Sequence, residues 1–85
     1  MAERQVTVAA EVGLHARPAA TFVQTAAKAS VNVTVAKGNG EPVNAKSILA
    51  VLSLDVRQGD TVVIRAEGEG ADEVVDQLAG IASAP

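Results

Sequence analysis

Few side chains in this 85-residue sequence can do chemistry, and the most suggestive of them lie close together. The run Gly13-Leu14-His15-Ala16-Arg17-Pro18 sets the only imidazole of the chain two residues before a guanidinium. Pro18 suits the first turn of a helix, where its missing N–H costs nothing because early helical amides have no intrahelical partner. The backbone N–H groups of Ala16 and Arg17 are free for the same reason, and they lie at the positive end of the helix dipole. An imidazole nucleophile, two free amides and a permanent planar cation fit reversible phosphoryl transfer to a ring nitrogen, with the amides and Arg17 neutralising the doubly charged group. Gly13 lets the backbone turn tightly and leaves the ring open to a partner. A lone His before a helix is, more simply, an ordinary surface residue. Arg17 argues against that reading, because a cation set against the dipole is unfavourable for folding and suits a site where an anion is expected.

Composition removes most other chemistries. The chain has one His and no Cys, Trp or Tyr, so disulfides, thiol catalysis, zinc sites and aromatic platforms for single-stranded nucleic acid are all excluded. Neither a metal nor a cofactor is expected. Residues 1–54 hold five basic and three acidic side chains for a balance of +2, whereas residues 55–85 hold two basic and seven acidic for −5. An anionic ligand or acidic partner is therefore sought in the front half, although +2 also fits an ordinary solvated surface. Nothing is basic enough for general nucleic-acid binding. The N-terminus lacks the apolar core of a signal peptide and no apolar run reaches the roughly 20 residues that span a bilayer, which favours the cytoplasm.

The elements that must position the motif follow from periodicity. At 85 residues, residues 1–85 make a single small domain. Its core must be built from small parts, for 17 residues are Ala, 14 are Val and Phe22 is the only aromatic. Val6 and Val8 alternate with polar neighbours as a first strand, and Ala19, Phe22, Val23 and Ala26 share one face of a helix. Val31, Val33 and Val35 alternate as a second strand. Lys37-Gly38-Asn39-Gly40 turns the chain into a short third strand, Glu41-Pro42-Val43, which Pro42 confines to a sheet edge. Ser47 caps a short helix from Ile48 to about Ser53, and Gly59-Asp60 leads into a fourth strand with Val62, Ile64 and Ala66 on one face. Ala71, Val74, Val75, Leu78, Ala79 and Ala82 mark a last helix with Asp72 and Glu73 in its first turn. The fold class is α+β: a four-stranded antiparallel sheet in βαββαβα order, covered on one face by three helices, with the fourth strand lying between the first two. His15 then stands at the exposed margin of the sheet.

The first motif, with Asn44-Ala45-Lys46-Ser47-Ile48, resembles the histidine-containing phosphocarrier (HPr) family of the phosphoenolpyruvate-dependent sugar phosphotransferase system, over essentially the whole chain. The resemblance implies an open-faced β-sandwich whose His15 accepts a phosphoryl group on Nδ1 from enzyme I and passes it to sugar-specific IIA domains. It implies that Arg17 stabilises the phosphoryl group, and that the protein is a monomeric carrier between enzymes rather than a stand-alone catalyst. Ser47 resembles the regulatory serine that a dedicated kinase phosphorylates in many Gram-positive bacteria; it also reads as a plain helix cap. Ile48, Leu49, Val51, Leu52 and Leu54 go most of the way round a helix of barely two turns, which cannot bury them all. By family position Ile48, Leu49 and Leu52 form the docking patch for enzyme I and the IIA domains, while Val51 and Leu54 belong to the core. Departures from the family pattern are Val12, where a small polar residue is commoner, Asp55, where Gly is usual and positive φ is needed, and a Lys37–Glu41 loop one residue longer. The alternative is a regulatory module of this fold that acts through phosphorylated Ser47 on a transcription factor. An RNA-binding α+β module is disfavoured by the acidic chain and the lack of exposed aromatics on its strands.

Overall fold

In the computed structural model, which describes residues 1–85, the chain runs β1 (Ala2–Thr7), α1 (Ala16–Ala27), β2 (Val33–Lys37), β3 (Val43–Asn44), α2 (Ile48–Ser53), β4 (Thr61–Ala66) and α3 (Ala71–Ser83). All strand pairs are antiparallel and the sheet order is β1-β4-β2-β3, so β4 fills the slot between the first two strands as expected. Cross-strand partners share a face. Ala2 and Val6 stand opposite Ala66 and Val62, and Val33 and Val35 opposite Ala66 and Ile64, which gives β1, β4 and β2 one common apolar face. Phe22 and Ala26 of α1 and Val74, Val75, Leu78 and Ala82 of α3 pack on that face in a single buried cluster. Alanine at Ala26, Ala79 and Ala82 lets helix backbones lie close to the sheet and to each other, which is how a core with one aromatic fills its volume. The opposite face carries Glu3, Gln5, Thr34 and Arg65, with Glu3 accepting from Arg65 Nε across β1 and β4 at 2.6 Å.

The element boundaries differ from the sequence pattern in three places. β1 begins at Ala2 and ends at Thr7, so Val8 is buried just beyond the strand and its N–H donates to the Asp60 carbonyl at 2.9 Å. Val31 precedes β2 and packs against the core from outside the strand. β3 is only Val43–Asn44: Glu41 and Pro42 fall outside it, because Pro42 has no N–H for a ladder and the strand pairs only where donors exist.

Candidate functional site

The loop that carries the His15 motif from β1 into α1 is tied down along its length. Leu14 donates its N–H to the Val56 carbonyl at 3.0 Å, Gly59 donates to the Val8 carbonyl at 2.8 Å, and Gln58 Nε2 donates to the Ala9 carbonyl at 3.0 Å. On its other side the Ala9 N–H donates to the Ala82 carbonyl of α3 at 3.3 Å. Leu14 is buried, which anchors the loop to the core one residue before His15. Gly13 has φ +67°, and a Cβ built there would stand 2.2 Å from the Val56 carbonyl oxygen. Only glycine permits the motif loop to approach the segment after α2 this closely.

His15 is the N-cap residue of α1, with extended backbone at φ −130° and ψ 166°, and its ring makes no capping hydrogen bond. The side chain is 37% exposed, so the imidazole is held by its surroundings yet open to a partner. Ala16 follows with φ +52°, a left-handed conformation that costs a non-glycine residue about 1–2 kcal/mol. The surrounding hydrogen bonds must hold it there. The first turn of α1 contains no acidic residue, so the positive end of its dipole has no carboxylate of its own. Arg17 is exposed and takes part in none of the ion pairs of the chain, which leaves its guanidinium uncommitted. Free early amides, an uncommitted guanidinium and an accessible imidazole thus occur together at one helix start.

A second group at this rim is absent from the sequence analysis, where Asp55 stands only as a departure from the family's usual glycine. Asp55 has φ +52°, so the position does require a left-handed backbone. Its Oδ1 lies 3.4 Å from His15 Nε2. Arg57 Nη2 donates to Asp55 Oδ2 at 3.1 Å and Arg57 Nε to Oδ1 at 3.4 Å. Lys37 Nζ donates to the Asp55 carbonyl at 3.0 Å and pairs with Asp60 Oδ2 at 3.3 Å, while the Arg57 N–H donates to Asp60 Oδ2 at 2.9 Å. The hydrogen bond and charge of Arg57 hold the Asp55 carboxyl below the usual carboxylate range, with Lys37 and His15 adding smaller pulls. Asp60 is lowered too, chiefly by the Arg57 backbone N–H. In turn Asp55 raises the guanidinium of Arg57.

Around α2, Ser47 is the N-cap residue and its Oγ accepts from the Ala50 N–H at 3.3 Å. Val51 is fully buried and Leu54 packs against the core, whereas Ile48 is exposed, Leu49 is 77% exposed and Leu52 is half-buried. Val51 and Leu54 on the core side and Ile48 and Leu49 on the surface follow the sequence reading, whereas Leu52, expected in the exposed patch, is half-buried. Val12, on the motif loop, is also exposed.

A family model described as the PTS HPr component phosphorylation site matches residues 2–84. The chain belongs to the PTS HPr family. A phosphocarrier protein HPr of Streptomyces coelicolor is 49% identical over 79 residues, covering 93% of this chain and 85% of that one. The HPr-like protein Crh of Halalkalibacterium halodurans is 41% identical over 78 residues, covering 92% of each chain. A crystal structure of HPr from Bacillus anthracis superposes with a TM-score of 0.91 at 38% identity, covering 96% of each chain. The open-faced sandwich is thus the HPr fold, and phosphoryl carriage in the phosphotransferase system is the function of this family. No helix of the chain is long and apolar enough to cross a membrane.

Within this HPr fold Ser47 has a structural duty that can be weighed directly. Ser47→Ala removes one cap acceptor and is expected to cost about 1 kcal/mol of unfolding free energy in urea titration. A loss below about 0.2 kcal/mol would show that the cap bond contributes nothing.

Proposed function

We propose that His15 carries the phosphoryl group of this HPr-family protein on Nδ1, taking it from phospho-enzyme I and passing it to sugar-specific IIA domains. The observation that supports this most is the placement of an accessible, non-capping imidazole at the start of α1, within the residues that the family model matches. In acceptance, the Nδ1 lone pair forms the new N–P bond as the donor's bond to phosphorus breaks, and in delivery the same bond breaks toward the acceptor. The N–H groups of Ala16 and Arg17 and the guanidinium of Arg17 stabilise the charge on the phosphoryl oxygens. No cofactor or metal enters the step, and the protein acts between enzymes rather than as a catalyst of its own. The whole of residues 1–85 serves as one carrier domain, monomeric, cytoplasmic and with no role in binding nucleic acid. Incubation with phosphoenolpyruvate and enzyme I should leave an acid-labile label, as phosphohistidine is. A label that is entirely acid-stable would count against the assignment.

Ile48, Leu49 and Leu52 dock enzyme I and the IIA domains in this reading. Leu49, 77% exposed, contributes little to folding, so Leu49→Arg is expected to leave thermal stability unchanged and to slow phosphoryl acceptance from enzyme I about tenfold or more. Equal acceptance rates for the two proteins would remove Leu49 from the docking surface.

The likeness to Bacillus subtilis Crh, described as the catabolite repression HPr, at 39% identity favours one further reading, a regulatory one, for which Ser47 is the candidate residue. A serine kinase would phosphorylate Ser47 beside the apolar patch, the added charge would repel acidic partner surfaces, and the modified protein would act on a transcriptional regulator. Acid-stable label on Ser47 after incubation with such a kinase is the expected result.

A further inference from the structure

We propose that Asp55 is a positioning residue for His15: its carboxylate holds the imidazole with Nε2 as the protonated nitrogen and so leaves the Nδ1 lone pair as the nucleophile, a role that rests on the carrier reading above. Three observations converge on it. Asp55 Oδ1 stands 3.4 Å from His15 Nε2, within ion-pair range and a few tenths of an ångström beyond the usual hydrogen-bond distance. The separation is set by the backbone, because Leu14 and Val56 are hydrogen-bonded at 3.0 Å and are the chain neighbours of His15 and Asp55. The left-handed turn at Asp55 is pinned at both ends, by its own N–H on the Leu52 carbonyl at 3.1 Å and by Lys37 Nζ on its carbonyl at 3.0 Å.

A neutral imidazole has one N–H and one lone pair, and an acceptor beside one nitrogen keeps the proton there. With a carboxylate at Nε2, the proton stays on that nitrogen throughout the reaction. The Nδ1 lone pair makes the N–P bond as the donor's bond breaks, and on delivery the ring leaves as neutral imidazole still protonated at Nε2. An anion this close to a phosphoryl site would repel the incoming group if it stood alone. Arg57 compensates it by donating to both carboxylate oxygens, and Lys37 is shared with Asp60, so Arg17 alone of the rim's cations remains uncommitted for the phosphoryl oxygens. His15, Asp55, Arg57, Lys37 and Asp60 therefore form one charge-paired rim in which each cation and anion has a separate place.

The effect is moderate because both side chains are partly exposed, at 37% and 55%. Asp55→Gly removes the carboxylate and relieves the left-handed backbone, so the variant folds. The readout is the ratio of Nε2–H to Nδ1–H tautomers, from ring 15N shifts of the full chain at about pH 9, well above the ordinary imidazole range. The ratio is expected to fall about two- to fivefold in Asp55→Gly, the span that exposed ion pairs provide. A native chain that takes no label from phosphoenolpyruvate and enzyme I overturns the carrier reading and the role of Asp55 with it. A labelled native chain whose tautomer ratio is unchanged in Asp55→Gly overturns the Asp55 proposal alone.

Discussion

His15→Ala is expected to abolish phosphoryl acceptance while the protein remains folded. The loss is total because the chain contains no second imidazole and no thiol to act as nucleophile in its place. The fold survives because the ring contributes little polar bonding to it: His15 makes no capping hydrogen bond, and its one polar side-chain partner is the partly exposed Asp55. Removing an exposed polar contact and a non-capping side chain should change the unfolding free energy by less than about 1 kcal/mol. The loop is fixed by backbone bonds at Leu14, Val8 and Ala9, none of which involves the ring. Labelled phosphoenolpyruvate with enzyme I measures the first effect and urea titration the second. Acid-labile label on the variant would place the carrier elsewhere.

Gly13→Ala should act in the opposite way, through stability first and chemistry second. The added methyl meets the Val56 carbonyl oxygen at 2.2 Å and Arg57 Cα at 2.7 Å, both backbone atoms that cannot swing aside. The φ of +67° adds the left-handed cost for a residue with a Cβ. Relief requires the two loops to part, which breaks the Leu14–Val56 hydrogen bond and moves His15 relative to Asp55. The combined cost is about 2–4 kcal/mol, in the class of backbone strain plus overpacking. For a domain of this size that lowers the melting temperature by roughly 10–25 °C. Gly59→Ala is the internal control, since a Cβ there meets nothing within 4 Å and only its φ is unfavourable. Equal losses for the two variants would mean that the close approach at Gly13 carries no energetic weight.

Local signals carried most of what the sequence revealed. The start of α1 is written in consecutive residues, from Gly13 to Pro18, and the apolar spacing of Ala71 to Ala82 marks α3 without reference to anything distant. For α2 the apolar residues showed only that a two-turn helix could not bury them all; which of them face the core, Val51 rather than Leu49, followed from the family resemblance. β3 was misjudged at its start, since a turn followed by Pro42 leaves open where pairing begins and only the register with β2 settles it. The need for positive φ at Asp55 was visible from the glycine it replaces. Its position beside His15 was not, because 40 residues separate them and their approach depends on a backbone bond between Leu14 and Val56. Charge pairs of this kind leave no periodic trace in a sequence.

The placement of β4 has a kinetic consequence. β1 pairs only with β4, across residues as far apart as Ala2 and Ala66, so β1 has no partner in the sheet until β4 has been made. Long-range pairing of this kind slows folding, and it leaves little intermediate order that is stable by itself. The rim around His15 depends on the same late segments, for its loop is held by Val56 and Asp60 before β4 and by Ala82 near the end of α3. A nascent or truncated chain that stops short of them already contains His15 and Arg17 but has nothing to hold them in register. The ordered geometry of the His15 rim therefore depends on the complete fold rather than on the segment that contains the motif.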